Sequence, residues 1–261
     1  MIIDTHAHIC DTKFDKDRNE VIERSLSHGI FKIVEISCEP HYWEKALKLS
    51  ERNEIWTAFG IHPNNAKSIN WQDCKKLEVF INNAKCVAVG ECGLDYHYDN
   101  SNENKIIQKQ LFAKQLELSF QYKKPLIIHC RDAHEDMINI LKNTRTGYKG
   151  VVHCFSGTLH EAEEYIKLGF YLGIDGPITY KNADALKQTI KEVNIENMLI
   201  ETDCPYLSPQ EHRGERNEPS YLLETLRELS TLKNIPFETA AQLTSKNAID
   251  LFWQPVAHNT P

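Results

Sequence analysis

Short, β-branched apolar runs alternate along this chain with longer amphipathic stretches. Several of the runs are apolar throughout, which is typical of strands buried on both faces of a parallel sheet. Eight strands with helices between them indicate either a closed (β/α)8 barrel or an open doubly wound sheet. The strands are expected at Met1–Thr5, Ile30–Ile36, Ile55–Gly60, Cys86–Gly90, Pro125–Ile128, Gly150–His153, Phe170–Ile174 and Met198–Thr202.

Two sequence features decide between these architectures. No Gly-rich dinucleotide loop follows the first strand, and no Gly-Lys-Ser/Thr phosphate loop is present. The sequence therefore favours the closed α/β barrel, a (β/α)8 TIM barrel. A length of 261 residues without a linker predicts one domain over residues 1–261. Helices are expected at Asp17–Ser27, Tyr42–Ser50, Trp71–Asn82, Asn102–Lys123, Asp132–Lys142, Leu159–Leu168, Asn182–Val193, Pro219–Thr231 and Pro236–Phe252.

Charge and cysteine usage narrow the class of protein. The net charge of −7 argues against a surface that is broadly positive and binds nucleic acid over a large area. A local basic pocket remains compatible with it. The 8 cysteines are spread along the chain with no Cys-x-x-Cys pair, so they predict free thiols rather than a disulfide framework or zinc knuckle. No apolar run approaches the length of a membrane span, and no signal segment opens the chain. We expect a cytoplasmic protein without a membrane partner.

Polar residues that can bind metal follow six of the expected strands. Active sites of (β/α)8 barrels lie at the carboxyl ends of their strands, so these residues should meet at one rim. Four histidines, one glutamate and one aspartate suffice for two divalent ions that share a bridging carboxylate. Such ligands suit zinc, manganese, nickel, iron, cobalt or magnesium without choosing among them. The remaining strand of the six, the third, is followed by His62. The ligand set comes from the other five strands and consists of His6, His8, Glu91, His129, His153 and Asp203.

The motifs at these strand ends resemble those of the TatD family of metal-dependent deoxyribonucleases, within the amidohydrolase-like barrels. The matching segments occur in family order over nearly the whole chain, so the resemblance is specific to the family. They are Asp-Thr-His-Ala-His at 4–8, Gly-Ile-His-Pro at 60–63, Gly-Glu-Cys-Gly-Leu-Asp-Tyr at 90–96, His-Cys-Arg-Asp-Ala at 129–133, His-Cys-Phe-Ser-Gly at 153–157, Glu-Thr-Asp-Cys-Pro-Tyr-Leu at 201–207 and Arg-Gly-Glu-Arg-Asn-Glu-Pro at 213–219.

The resemblance implies two divalent metal ions. The first would be held by His6, His8, Glu91 and Asp203, and the second by His129 and His153 together with the bridging Glu91. It also implies a barrel of the metal-dependent hydrolase type and a 3′→5′ exodeoxyribonuclease that acts on single-stranded or frayed DNA, with activity on RNA left open. A monomer is the simplest expectation. Metal-bound hydroxide would be the nucleophile, and two ions can stabilise both the attacking and the leaving oxygen.

Individual roles follow from position at the rim together with the resemblance. Asp203 and Glu91 are the expected catalytic residues, and Asp203 would orient or deprotonate the water. Glu201 lies on the same face as Asp203 and is expected to hold a ligating histidine. The expected substrate-binding residues are Arg131, Arg213, Asn217 and His62, with the two arginines contacting phosphate through their bidentate guanidinium groups. For His62, support of a ligating residue and a capping or packing role stay open.

Cysteines next to the ligands are expected to be structural. On a strand, Cys130 and Cys154 would face away from the lumen beside His129 and His153, packed against helices as small apolar side chains. Ligation of a metal by either thiol is therefore not part of the predicted site.

Two other functions remain open at the level of the sequence. One keeps the metal site but changes the substrate, giving a deacylase or amidohydrolase that acts on an ester or amide such as an aminoacyl-tRNA. The other is a metal-holding scaffold without catalysis. Arg131, Arg213 and Asn217 discriminate between the first alternative and the nuclease, because they favour phosphate only if they face the metals.

Overall fold

The computed structural model describes residues 1–144 and 147–254 of the chain. Its eight strands are parallel and hydrogen-bonded in sequence order from β1 to β8. Their bounds are β1 Ile2–Ala7, β2 Ile30–Ser37, β3 Ile55–Phe59, β4 Cys86–Asp95, β5 Leu126–Arg131, β6 Gly150–Val152, β7 Phe170–Ile174 and β8 Met198–Ile200.

The first and last strands meet, which closes the sheet. Ala7 forms a parallel bridge with Cys204. The backbone N–H of Asp203 donates to His6 O at 2.9 Å, and that of His8 donates to Cys204 O at 2.7 Å. The closed (β/α)8 barrel predicted from the sequence is confirmed. The single domain predicted over 1–261 includes residues that lie outside the described ranges, and it stays a prediction.

Helices follow the strands and cover the outside of the barrel. Their bounds are α1 Arg18–Ser27, α2 Trp43–Leu49, α3 Trp71–Ile81, α4 Asn102–Tyr122, α5 His134–Asn143, α6 Leu159–Lys167, α7 Asp184–Glu192, α8 Leu222–Lys233 and α9 Phe237–Phe252. Within the described ranges, none of these helices combines the length and the apolar character needed to cross a membrane.

Alternating strand residues belong to two separate apolar clusters, as the pleat of a strand requires. Leu126 and Ile128 of β5 pack in the larger cluster with the helices, whereas Ile127 between them belongs to a smaller cluster. That smaller cluster takes residues from seven strands and is extended by Leu251 and Phe252 of α9. We infer that it fills the barrel interior and leaves the carboxyl ends of the strands for polar residues.

Strand β4 is longer than the sequence predicts and reaches Asp95 instead of Gly90. Its register against β5 shifts between Gly90 and Cys92, and pairing then continues to Asp95 and Arg131. A Cβ at Gly90, whose φ is +152°, would lie 2.5 Å from Ile127 O, so only glycine fits there. The irregular stretch contains Glu91.

Candidate metal centre

All six residues of the predicted ligand set lie together at the carboxyl ends of the strands. They surround one end of a cavity of about 800 Å³ whose lining includes His8, Glu91, His129, His153 and Asp203. His6 lies beneath them and is fully buried. The barrel thus assembles in one place residues that come from five strands.

His6, His8 and Asp203 form one group of potential ligand atoms. The Nε2 atoms of His6 and His8 are 3.2 Å apart. Asp203 Oδ1 lies 3.6 Å from His6 Nε2 and 3.3 Å from His8 Nε2. Atoms bound about 2.1 Å from a shared ion lie about 3.0–3.4 Å from one another, so this spacing fits one metal.

The two carboxylate oxygens of Glu91 face different histidines. Oε2 lies 3.6 Å from His6 Nε2 and 3.8 Å from His8 Nε2. Oε1 lies 2.7 Å from His129 Nδ1 and 3.8 Å from His153 Nε2. This is the geometry of a carboxylate placed between two groups of ligands.

Hydrogen bonds on the far side of three imidazoles leave the near nitrogen free for a metal. His8 Nδ1 lies 3.0 Å from Ile36 O, and His153 Nδ1 lies 2.7 Å from Glu201 Oε1. A carbonyl or carboxylate oxygen can only accept, so each Nδ1 carries a proton, and each Nε2 offers its lone pair to a metal when the ring is neutral. His129 has the opposite arrangement, because its Nε2 faces Asp95 Oδ2 at 3.0 Å and its Nδ1 faces Glu91.

The titration behaviour of the cluster also fits a cation. Burial alone would lower the pKa of His8, but the hydrogen bond and charge of Asp203 raise it to about 9. Burial is likewise outweighed at His153, where the charge of Glu201 raises the pKa to about 10. Burial would raise the pKa of Glu91, yet the surrounding histidines, His62 first, hold it well below its usual value. A divalent cation would neutralise these carboxylates in place of the protons.

Glu201 is fully buried beneath His153. Its Oε1 also accepts the backbone N–H of Cys154 at 2.7 Å. Gly173 makes room for this carboxylate, because a Cβ there would lie 2.5 Å from Glu201 Oε1. Glu201 thus fixes the ring of a potential ligand and does not face the cavity itself.

The four expected substrate-binding residues lie in different surroundings. Arg131 lines the cavity, with its guanidinium 5.4 Å from the ring centre of Tyr98. His62 also lines the cavity, with Nε2 3.6 Å from Glu91 Oε1. The Arg213 guanidinium instead lies 4.1 Å from the ring centre of Tyr180.

Asn217 is buried and has no donor left for a substrate. Its Nδ2 donates to Thr202 O at 2.8 Å and to Tyr206 O at 2.6 Å, and its Oδ1 accepts the backbone N–H of Glu218. The expected contact of Asn217 with phosphate is therefore unsupported. Its amide holds the loop after β8 in place.

Sequence reasoning missed three acidic residues near the centre. Asp95 contacts the Nε2 of His129 through its carboxylate. Its position in the Gly-Leu-Asp-Tyr segment at the end of β4 could have identified it as a site residue. Asp175 follows β7 and Glu35 belongs to β2; both are buried and line the cavity. Burial is the main cause that raises the pKa of Asp175 to about 8 and that of Glu35 to about 7. No motif marked either of these two.

The orientation predicted for Cys154 is wrong. Strand β6 ends at Val152, so the alternation of strand faces does not extend to Cys154. This residue has φ of +45° and lines the cavity. Cys130 also borders the cavity, but it is a buried strand residue that accepts a hydrogen bond from the Tyr165 hydroxyl at 3.5 Å.

Known proteins resemble the chain over almost its whole length. The family model described as TatD related DNase matches residues 3–253. An uncharacterized metal-dependent hydrolase, YabD of Bacillus subtilis (strain 168), is 40% identical over 254 residues, which cover 97% of this chain and 99% of YabD. The 3′-5′ ssDNA/RNA exonuclease TatD of Cronobacter sakazakii is 31% identical over 258 residues, covering 96% of this chain and 97% of that protein.

A solved structure shares both the fold and the extent of the chain. The crystal structure of YjjV, a TatD homologue from Escherichia coli K12, superposes with a TM-score of 0.90 at 30% sequence identity. The match covers 97% of this chain and 98% of YjjV. Together with the family model, this shows that the chain belongs to the TatD-related DNase family of metal-dependent hydrolases.

Proposed function

We propose that the protein hydrolyses phosphodiester bonds of nucleic acid, as a 3′→5′ exonuclease on single-stranded or frayed DNA. The observation that carries the proposal is Glu91, whose two oxygens face two groups of histidines at the end of an open cavity. Such an arrangement suits two divalent ions, with His6, His8 and Asp203 on one side and His129 and His153 on the other. The relative from Cronobacter sakazakii, named a 3′-5′ ssDNA/RNA exonuclease, supports the choice of substrate.

The bound ions would activate water and neutralise charge on the phosphate that is attacked. The protein would supply orientation and proton transfer. Asp203, at the cavity and beside His8, would orient the attacking water and accept its proton. Arg131 would hold a phosphate oxygen through its planar guanidinium.

Two exposed aromatic side chains in the cavity wall support a nucleic acid substrate. Tyr98 is 74% exposed and Tyr206 is 44% exposed, and both line the cavity. Exposed aromatic rings of this kind stack on bases of single strands without reading their sequence. A cavity lined by Arg131 and these rings would hold the end of a nucleic acid strand with its terminal phosphodiester near Glu91.

Free thiols support a cytoplasmic location, which we also propose. All eight cysteines, each within the described ranges, are unpaired, as expected in a reducing compartment. We also propose a monomer, because residues of a single chain suffice for the whole ligand set.

Digestion of end-labelled oligonucleotides tests the proposed function. Single-stranded DNA, duplex DNA and RNA labelled at either end are incubated with Mg²⁺, Mn²⁺, Co²⁺, Ni²⁺ or Zn²⁺ and resolved on a gel. We expect a ladder that shortens 5′-labelled single-stranded DNA from its 3′ end and that disappears with a chelator. A folded, metal-loaded protein that leaves every substrate intact would contradict the proposal.

One observation favours an ester as the second candidate substrate. Asn217 donates only to the backbone and Arg213 lies on Tyr180, so Arg131 is the one expected phosphate ligand among these three that lines the cavity. Parallel assays with bis(p-nitrophenyl) phosphate and p-nitrophenyl acetate separate the two chemistries. A preference for the acetate would favour the deacylase.

A further inference from the structure

His62 lies where a metal ligand could lie, yet its hydrogen bonds differ from those of the other histidines around Glu91. With Glu91 and His129 it forms a group whose potential ligand atoms are within 4.8 Å of one another. Its Nε2 is 3.6 Å from Glu91 Oε1, and its ring meets that of His129 at a centroid distance of 4.4 Å. Distance alone would make it a third ligand on this side of the centre.

The proton on the His62 ring argues against ligation. The backbone N–H of Asn64 donates to His62 Nδ1 at 3.1 Å. A backbone amide can only donate, so Nδ1 must present a lone pair and cannot carry a proton. The ring proton therefore resides on Nε2, the nitrogen that faces Glu91. A protonated nitrogen has no lone pair for a metal.

The chain around His62 holds this arrangement. His62 is the N-cap of the 3-10 turn Pro63–Asn65, so its Nδ1 satisfies a turn amide that has no other partner within the turn. Its own backbone N–H donates to Cys38 O at 3.0 Å. The Asn64 side chain in turn donates to Asp95 Oδ2 at 3.3 Å, the atom that also accepts from His129. The ring thus has a fixed position and a fixed proton.

We propose that His62 is a hydrogen-bond donor to the substrate and not a metal ligand. His62 lines the cavity with its Nε2–H beside Glu91. A substrate bound there would place a non-bridging phosphate oxygen within reach of this N–H, which would donate to it as negative charge develops during hydrolysis. This role rests on the proposed phosphodiesterase function, whereas the exclusion from the metal does not.

Two variants separate the two ends of the ring. His62→Asn keeps a good N-cap that can accept from Asn64 but has no group at the Nε2 position. His62→Gln places an amide N–H₂ near the Nε2 position, so it restores a donor. His62→Ala removes both functions.

Metal content is the readout that does not depend on substrate. The three variants and the wild type are loaded with Mn²⁺ or Zn²⁺, dialysed, and analysed for metal per chain by mass spectrometry. We expect all four to bind the same number of ions. Loss of one ion from His62→Asn and His62→Ala, with thermal unfolding unchanged, would show that His62 is a ligand and overturn the proposal.

Turnover and NMR complete the test. We expect kcat of His62→Asn to fall about 10²–10³-fold, the usual cost of removing one such donor, and His62→Gln to recover most of it. Long-range ¹H–¹⁵N spectra of the Zn²⁺-loaded protein should show the Nε2–H tautomer. An Nδ1–H tautomer, or full kcat in His62→Asn, would contradict the proposal. If the wild type cleaves only esters, the proposed function fails, but metal content and tautomer still decide the ligand question.

Discussion

His153 Nδ1 and Glu201 Oε1 are 2.7 Å apart in a buried contact beneath the cavity. The contact fixes both the orientation of the ring and the nitrogen that faces Glu91. We expect Glu201→Ala to weaken metal binding about 10–100-fold, because such partners of ligating histidines carry effects of that size. Chelator competition with Zn²⁺ measures the change. Glu201→Gln retains an oxygen that can accept from the ring and should lose less; equal loss in both variants would instead point to the charge of Glu201.

Addition of a single methyl group at Gly173 should weaken metal binding and lower the stability of the protein. In Gly173→Ala the new Cβ would lie 2.5 Å from Glu201 Oε1, so the carboxylate must shift and take His153 with it. We expect weaker metal binding in addition to overpacking that costs about 1–3 kcal/mol of stability. Gly150→Ala is the matched control, because its Cβ would clash with Leu126 O and does not meet Glu201. The prediction is wrong if both variants bind metal like the wild type.

Loss of Glu91 should reduce metal binding more than loss of a ligand that belongs to only one side of the centre. Its Oε2 lies near His6 and His8, and its Oε1 lies near His129 and His153. We expect Glu91→Ala to reduce occupancy on both sides and to reduce hydrolysis to background. His8→Ala should reduce occupancy on one side. Metal per chain, measured by mass spectrometry after dialysis, distinguishes the two variants; the same stoichiometry in both would argue against a bridging role.

The contribution of Asp4 to the stability of the metal-free protein should fall as pH rises from about 4 to about 7. Burial is the main cause that raises the pKa of Asp4 from 3.8 to about 7, against hydrogen bonds from Thr202 and the His6 amide. The folded state therefore holds this proton after the unfolded state has released it, and the associated stability is lost as pH rises through the folded pKa. The difference is on the order of 4 kcal/mol between pH 4 and pH 8.

Asp4→Asn isolates that contribution, because the amide is neutral at every pH. Urea unfolding of chelated protein at intervals between pH 4 and pH 8 should give a flatter stability profile for Asp4→Asn than for the wild type. Profiles of equal slope would mean that Asp4 is ionised in the folded protein.

Arg131 should contribute to substrate binding more than Arg213 does. Arg131 lines the cavity, and a charge-assisted bond to phosphate contributes about 1.5–3 kcal/mol. We expect Arg131→Ala to raise KM for single-stranded DNA about tenfold or more without changing metal content, and Arg131→Lys to restore it in part. Arg213→Ala is the comparison, since its guanidinium lies on Tyr180. Equal effects of the two alanine variants would place Arg213 on the substrate as well.

The sequence predicts the barrel and the grouping of the ligands because both depend on local signals. Strands buried on both faces read as apolar runs, and the residue after each run lies at the active rim by topology alone. His6 and Asp203 could therefore be placed together although the chain between them is long. The comparisons confirm the family and the fold, which rest on these same signals.

Contacts made through space carry no such signal. The partner of His129, Asp95, lies 34 residues away on a strand whose register shifts near Gly90. The sequence around Asn217 predicts a polar loop residue. Only the folded loop shows that its amide N–H groups donate to the carbonyl oxygens of Thr202 and Tyr206. Cys154 lines the cavity because its backbone adopts a positive φ instead of the strand conformation. The flanking residues do not predict this change of conformation.

The seam between β1 and the chain after β8 has a consequence for synthesis of the protein. Thr5 donates its hydroxyl to Ile200 O across a separation of 195 residues, and the His6 carbonyl accepts from the Asp203 amide. A ribosome that has made only the first seven strands has delivered His6 and His8 but neither Asp203 nor Glu201. The nascent chain therefore lacks part of both sides of the centre, and the centre can form only when the last strand has emerged.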